Sequence, residues 1–324
     1  MTESLLYPIA ALVGGFVLLV WGADKFVHGA AATARHLGVP PMIIGLTIVG
    51  FGTSAPEILV SVMAAAQGNP SLAVGNALGS NIANIGLVLG ITALVTPLLV
   101  RSETLRREYP VMFAVMLVSL VLLVDGRLSR LDGVVLLAGL ALMLLWLIAL
   151  ARQHKLPDPI EREYTQQIPV IPLGRALFWL VVGLALLLVS SRVLVWGAIN
   201  IAQWFGVSDL IIGLTVVAIG TSLPELAASV VSALKKEPDL AIGNVLGSNM
   251  FNLLAVLGLP GVIAPLNIDP EVLQRDYPFM IGLSIAMFSF AYGFRGRGRI
   301  NRLEGALLLA GYIAYIVVLF IGLR

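Results

Sequence analysis

Gly52-Thr53-Ser54-Ala55-Pro56-Glu57, followed by Gly75-Asn76-Ala77-Leu78-Gly79-Ser80-Asn81 and Asn84, is the stretch that decides the fold, because the chain carries it twice. The second copy reads Gly220-Thr221-Ser222-Leu223-Pro224-Glu225, then Gly243-Asn244-Val245-Leu246-Gly247-Ser248-Asn249 and Asn252. Aligned at an offset of 168, Ile43 to Gly90 and Ile211 to Gly258 share 27 of 48 residues. The same register carries Arg107-Glu108-Tyr109-Pro110 onto Arg275-Asp276-Tyr277-Pro278, and a four-residue shift matches Leu131-Asp132-Gly133 with Leu303-Glu304-Gly305. The repeat therefore covers nearly the whole of each half.

Each copy sits in apolar sequence. Of 324 residues, 59% are hydrophobic and 12% charged, with a mean hydropathy of +0.98, against about 25% charged in soluble domains. A soluble protein is excluded. Windows long enough to cross about 30 Å of hydrocarbon fall near 5 to 23, 42 to 66, 71 to 99, 109 to 124, 131 to 150, 174 to 199, 210 to 234, 239 to 266, 277 to 294 and 303 to 323. The predicted fold is an all-α integral membrane protein of ten transmembrane helices, in two five-helix repeats at 1–150 and 173–324 joined by a polar linker at 151–172. Five is odd, so the second copy enters the bilayer from the opposite side and the repeats are inverted.

The first apolar run follows Met1-Thr2-Glu3-Ser4, which lacks a basic leader, and reads as an uncleaved span. Fifteen Lys and Arg flank the spans on the linker side and four on the side of the termini. The positive-inside rule makes the linker cytoplasmic and places both termini outside a cell (inner) membrane. A net charge of +2 spread over loops implies no nucleic-acid partner, and the absence of cysteine removes disulfides and thiolate metal sites.

Glu57 and Glu225 each lie three residues from the middle of a span, within about 5 Å of the midplane. A carboxylate there costs at least about 2.5–3.5 kcal/mol, and two related by a pseudo-two-fold axis repel as well; a bound cation cancels both penalties. Pro56 and Pro224 cannot donate to a carbonyl four residues back, so carbonyls around Gly50 to Thr53 and Ala218 to Thr221 are expected to be bare. Thr53, Glu57 and Ser61 recur at intervals of four, as do Asn76, Ser80 and Asn84, and the second copy repeats both stripes. Carbonyls, hydroxyls, amide oxygens and two carboxylates form an all-oxygen set suited to Ca²⁺ or Na⁺ rather than zinc or copper.

Plainer roles compete elsewhere. Thr47, Ser61, Thr215 and Ser229 suit interhelical hydrogen bonding as well as ligation. Gly75-x-x-x-Gly79, Gly86-x-x-x-Gly90 and Gly243-x-x-x-Gly247 read as close-packing positions. Asp24, Lys25 and His28 read as interfacial groups where the first span ends, Arg192 as paired with a loop or headgroup, and Arg295, Arg297, Arg299 and Arg302 as a topogenic or lipid-contacting cluster.

The paired signatures in inverted halves resemble the alpha-repeats of the calcium/cation antiporter superfamily, in its sodium/calcium exchanger branch, with alpha regions at 42–92 and 210–260. The resemblance implies a secondary antiporter, not an enzyme, that exchanges Ca²⁺ for Na⁺ by alternating access, with no cofactor. Carried over by position, the calcium ligands are Glu57 and Glu225 with backbone oxygens of Thr53 and Thr221. The coupling-ion sites add the carbonyls of Gly50 and Ala218 and the hydroxyls of Ser54, Ser80, Ser222 and Ser248, with Asn84 and Asn252 at the centre. The first and sixth spans are the implied sliding pair. Some exchangers carry Asp where Asn252 stands; two amides here leave two carboxylates to set the charge, which argues against potassium co-transport. Proton coupling is the alternative, since a midplane Glu pair can also trade a metal for protons. A passive channel is disfavoured because no carbonyl-filter motif is present.

Overall fold

A computed structural model describes residues 5–67, 70–153, 171–205, 218–292 and 298–322. The first repeat contains α1 (Leu6–Leu37), α2 (Pro41–Ile44), α3 (Gly50–Thr53), α4 (Ala55–Ala66), α5 (Pro70–Ala83), α6 (Gly90–Val95), α7 (Ser102–Arg106), α8 (Glu108–Leu123) and α9 (Arg130–Gln153). The second contains α10 (Leu173–Trp204), α11 (Ala218–Thr221), α12 (Leu223–Leu234), α13 (Pro238–Phe251), α14 (Gly258–Ile263), α15 (Tyr277–Ala291) and α16 (Arg302–Gly322). Wider π turns at Gly45–Val49, Asn84–Leu89 and Asn252–Val256 join α2 to α3, α5 to α6, and α13 towards α14. Most of the expected linker and residues 210–217 of the expected seventh span lie outside the described residues.

Four two-residue strands record the inversion. β1 (Leu98–Leu99) pairs antiparallel with β4 (Arg299–Ile300), and β2 (Arg127–Leu128) with β3 (Leu266–Asn267). The repeat alignment turns β1 into β3 and β2 into β4, so one bridge maps onto the other. The first lies on the linker face of the bilayer and the second on the terminal face.

Packing separates a core from an outer shell. In the most apolar 18 residues of each span, 78% of residues are buried in α5–α6 and 100% in α13–α14, against 22–28% in the long helices α1, α9, α10 and α16, which turn apolar side chains outward. The inner spans interlock across the repeats, α4 against α14 and α12 against α6, with α9 over α14 and α16 over α6.

The first span departs from expectation. Hydropathy ends it at 23, but α1 continues through Asp24 and Lys25 to Leu37, 32 residues in all, or about 48 Å. Gly38, in the left-handed region at φ 64°, stops it. Tertiary packing sustains the extra turns: an added Cβ at Gly15, Gly22 or Gly29 would meet Leu194, Leu186 or Leu180 of α10 within 3.0 Å, and one at Gly183 would meet Phe26 of α1 at 2.4 Å. The spacing of seven lays one glycine seam along the antiparallel α1–α10 pair. Asp24 is thus carried inward along a helix, where Lys235 at the end of α12 reaches its carboxylate at 2.7 Å. Lys25 lies over the rings of Trp21 and Trp179. Arg192, mid-way along α10, is exposed.

Candidate cation site

Two broken helices build the centre. The arm Pro41–Thr53 and helix α4 meet at Ser54 with a bend of 43°, and Ser222 interrupts the second copy between α11 and α12 in the same way. Pro56 and Pro224 occupy the first turns of the helices that follow, where a missing N–H costs little. Each Glu therefore stands in a first helical turn, buried to 1% exposure, where the helix N-terminus favours negative charge.

The two carboxyls share one place. Thr53 and Ser54 of the first repeat face the Glu225 carboxyl, which also feels the charge of Glu57. Thr53, Ser54, Ser80, Asn84, Ser222, Ser248 and Asn252 are all buried with them. Thr221 is half-buried and Ala218 opens α11. Thr53 Oγ1 lies 3.0 Å from Asn244 Oδ1 and 3.4 Å from Ser248 Oγ, so first-repeat and second-repeat side chains interleave.

Among the described residues, buried oxygens without a hydrogen-bond partner include Ser54 Oγ and Ser222 Oγ, Glu57 Oε2 and Glu225 Oε2, Asn84 Oδ1 and Asn252 Oδ1. They are three repeat-related pairs. Buried polar atoms are ordinarily satisfied, and orphaned oxygens in repeat-related pairs are groups that a hard cation could complete.

One sequence expectation is corrected. Gly50 O is not bare; it accepts the Ser54 N–H at 3.0 Å and the Ser248 hydroxyl at 3.4 Å. A proline removes only the donor to the carbonyl four residues back, which for Pro56 is Gly52, one position short of Thr53 and two beyond Gly50. The equivalent carbonyl in the second copy, Gly220 O, accepts Ser191 Oγ from α10 at 2.9 Å. Ser61 and Ser229 take the helix-linking role, accepting from Asn76 Nδ2 and Asn244 Nδ2, each at 2.9 Å. Thr47 bonds back to Ile43 O within its own helix. Thr215 lies outside the described residues.

The family description "Sodium/calcium exchanger protein" matches residues 7–149 and 175–321. The chain belongs to the sodium/calcium exchanger family. It is 50% identical to the putative antiporter CaxA of Alkalimonas amylolytica over 94% of this chain and 96% of that one. Identity to the sodium/calcium exchanger MaX1 of Methanosarcina acetivorans is 33%, over 95% and 97% respectively. Among solved structures, the sodium-calcium exchanger NCX_Mj soaked with zero Na⁺ and Ca²⁺ superposes with a TM-score of 0.83 at 33% identity, covering 98% of this chain and all of that one.

Among the described residues, the packing of α13 differs from that of α5. Gly243, Asn244 and Gly247 of α13 are buried, and an added Cβ at Gly243 or Gly247 would meet Met42 O or Leu46 O within 2.7 Å. Their counterparts on α5 are open: Gly75 is exposed, Asn76 and Gly79 half-buried. Gly75 borders a cavity of about 170 Å³ lined also by Ile268, Asp269, Glu271 and Arg275. The packing of α13 on the Pro41–Thr53 arm closes the linker side of the described structure, and residues 206–217, which carry the counterpart of that arm, lie outside the described residues.

Sequence reasoning placed Asn76 and Asn244 on the polar stripes and named Asn81 and Asn249 only as motif letters. Asn76 and Asn244 donate to the Glu57 and Glu225 carbonyls at 3.0 and 3.1 Å, and Asn81 and Asn249 bond the two central amides. Their recurrence at 76, 81 and 84 and again at 244, 249 and 252 was the available signal. The π turns that begin at Asn84 and Asn252 left no such trace, although single π turns gather at functional sites.

Proposed function

We propose that this exchanger moves Ca²⁺ against Na⁺, with Glu57, Glu225, Ser54, Ser222, Asn84 and Asn252 as side-chain ligands. Thr53, Thr221, Ser80, Ser248 and the backbone at Ala218 complete the set, while the Gly50 carbonyl is engaged by Ser54 and Ser248. The observation that carries the reading is the six orphaned oxygens in three repeat-related pairs. One Ca²⁺ balances the two carboxylates, and monovalent ions replacing it keep the site occupied while access alternates. An empty, doubly charged site resists sealing within an apolar barrier, which favours exchange over leak.

The linker is proposed to be cytoplasmic and both termini outside, from the excess of Lys and Arg on the linker face. Proton coupling is the second reading, favoured by the same buried carboxyl pair.

Purified protein in liposomes, given sodium and pH gradients separately, tests both. Calcium-45 uptake driven by an outward Na⁺ gradient is the expected result. Uptake driven only by the pH gradient transfers the assignment to protons, and uptake needing neither makes the protein a channel. Glu57→Gln and Glu225→Gln are expected to abolish exchange while leaving a monodisperse protein.

A further inference from the structure

The central amides are useful as ligands only if their oxygens, not their NH₂ groups, face the cation. Nothing in an asparagine side chain fixes that choice, because the two ends are nearly equal in size and a flip exchanges acceptor for donor. Asn84 and Asn252, both 1% exposed, are therefore held by something else.

Asn252 Nδ2 donates to Asn81 Oδ1 at 3.1 Å, and Asn81 Nδ2 donates to Met280 Sδ at 3.4 Å. In the mirrored arrangement Asn84 Nδ2 donates to Asn249 Oδ1 at 3.2 Å, and Asn249 Nδ2 to Met112 Sδ at 3.9 Å. Each chain crosses between the repeats, and Met112 and Met280 stand at the same offset of 168 as the asparagines. Asn81, Asn249, Met112 and Met280 are fully buried, so water does not compete.

A thioether has no proton to give. Whatever meets Met280 Sδ must be a donor, so the Asn81 NH₂ turns towards it and the Asn81 oxygen turns away, towards Asn252. That oxygen in turn demands the Asn252 NH₂, and the Asn252 oxygen is left facing the centre. We propose that Met280–Asn81 and Met112–Asn249 are positioning relays, in which an acceptor-only sulfur sets the polarity of two successive amides and presents Asn252 Oδ1 and Asn84 Oδ1 to the transported cation. The proposal rests on the cation-site reading above. It assigns the methionines and outer asparagines no contact with the ion.

The test uses Met280→Leu, close in volume and without an acceptor, so that packing is conserved while polarity is lost. In reconstituted full-length protein, the apparent KM for Ca²⁺ is expected to rise about three- to tenfold, the scale of one lost buried hydrogen bond, with little change in maximal rate. The unfolding temperature without cations is expected to hold. In an Asn252→Ala background the same replacement is expected to add nothing, because the relay acts only through that amide.

A wild-type KM in Met280→Leu overturns the relay, as does an equal penalty with and without Asn252. Cation-dependent thermal stabilisation separates this from failure of the site itself. Wild-type protein that gains no stability from Ca²⁺ or Na⁺ sinks both readings. Wild-type protein that gains it, with Met280→Leu gaining as much at the same concentrations, sinks the relay alone.

Discussion

Alanine at Gly247 and at Gly79 makes the same chemical change at mirrored positions, and the two outcomes are expected to be opposite. At Gly247 a Cβ would lie 2.5 Å from Leu46 O and 2.9 Å from Leu46 C and Cα. Ordinary contact begins near 3.5 Å, and backbone atoms cannot rotate away, so α13 and the Pro41–Thr53 arm must separate by roughly 0.5–1 Å, at a cost of about 1–3 kcal/mol. No described atom lies within 4 Å of a Cβ at Gly79. Both replacements gain about 1 kcal/mol of helix propensity, which cancels in the comparison. The linker-face seal is thus expected to be about 5- to 150-fold less populated in Gly247→Ala than in Gly79→Ala. Because the chain has no cysteine, Met42→Cys, at a residue buried beside that seal, reports opening without background. A membrane-impermeant maleimide applied from the linker face should label it at least about fivefold faster in the Gly247→Ala protein. Gly79→Ala should label no faster than the parent, since the alanine obstructs the mirrored seal instead. Equal labelling of both proteins, with equal exchange rates, would refute the idea that glycine packing at this seam governs access.

Calcium at about a hundred times its dissociation constant should stabilise the wild-type protein by about 2.7 kcal/mol, read as a rise in unfolding temperature; Glu225→Gln should lose that rise, and its retention would place the ion elsewhere. Lys235→Met removes the 2.7 Å bond to Asp24. Both partners are about a third exposed, so its worth is at most about 1 kcal/mol; labelling at residue 42 should quicken at most about fivefold, and the difference should vanish in 1 M salt. Glu237, in the connection before α13, has its carboxyl pushed up to about 7 by burial and by Asp239, against the pull of Arg101. The folded protein then holds a proton that the unfolded chain releases, so this contribution to stability is full below the ordinary 4.5 and is lost as pH rises through 7. Melting curves between pH 5 and 8 should fall less steeply for Glu237→Gln, and parallel curves would contradict the assignment.

What could be read from the letters was the part written twice. The apolar windows and the duplicated Pro-Glu and Asn stretches disclosed a helical membrane fold in two inverted repeats and a pair of buried acids, because a mirrored polar motif in apolar sequence has few other uses. Features set by what one helix meets on another were hidden. Hydropathy stopped the first span at Asp24, whereas contact with α10 along Gly15, Gly22 and Gly29 carries it to Leu37. The Gly50 carbonyl looked bare in isolation and proves to be shared by Ser54 and Ser248. Asn81 and Asn249 read as motif neighbours until Met280 and Met112, on α15 and α8, appeared beside them. The glycine pairs Gly86-x-x-x-Gly90 and Gly243-x-x-x-Gly247 do pack closely, the former against Tyr312 and Gly305, while a Cβ at Gly75 or Gly79 would meet no described atom within 4 Å.

The small β bridges bear on how the protein is made. β1 is synthesised early and finds its partner only in β4, just before the last helix, and α6 is covered by that same last helix. No cut between the halves leaves either with its inner spans enclosed. The first five spans must therefore wait in the bilayer, their polar faces borrowed by lipid, translocon or chaperone, until translation is almost over. Truncations near the carboxyl end should then be cleared by quality control as thoroughly as those near the beginning.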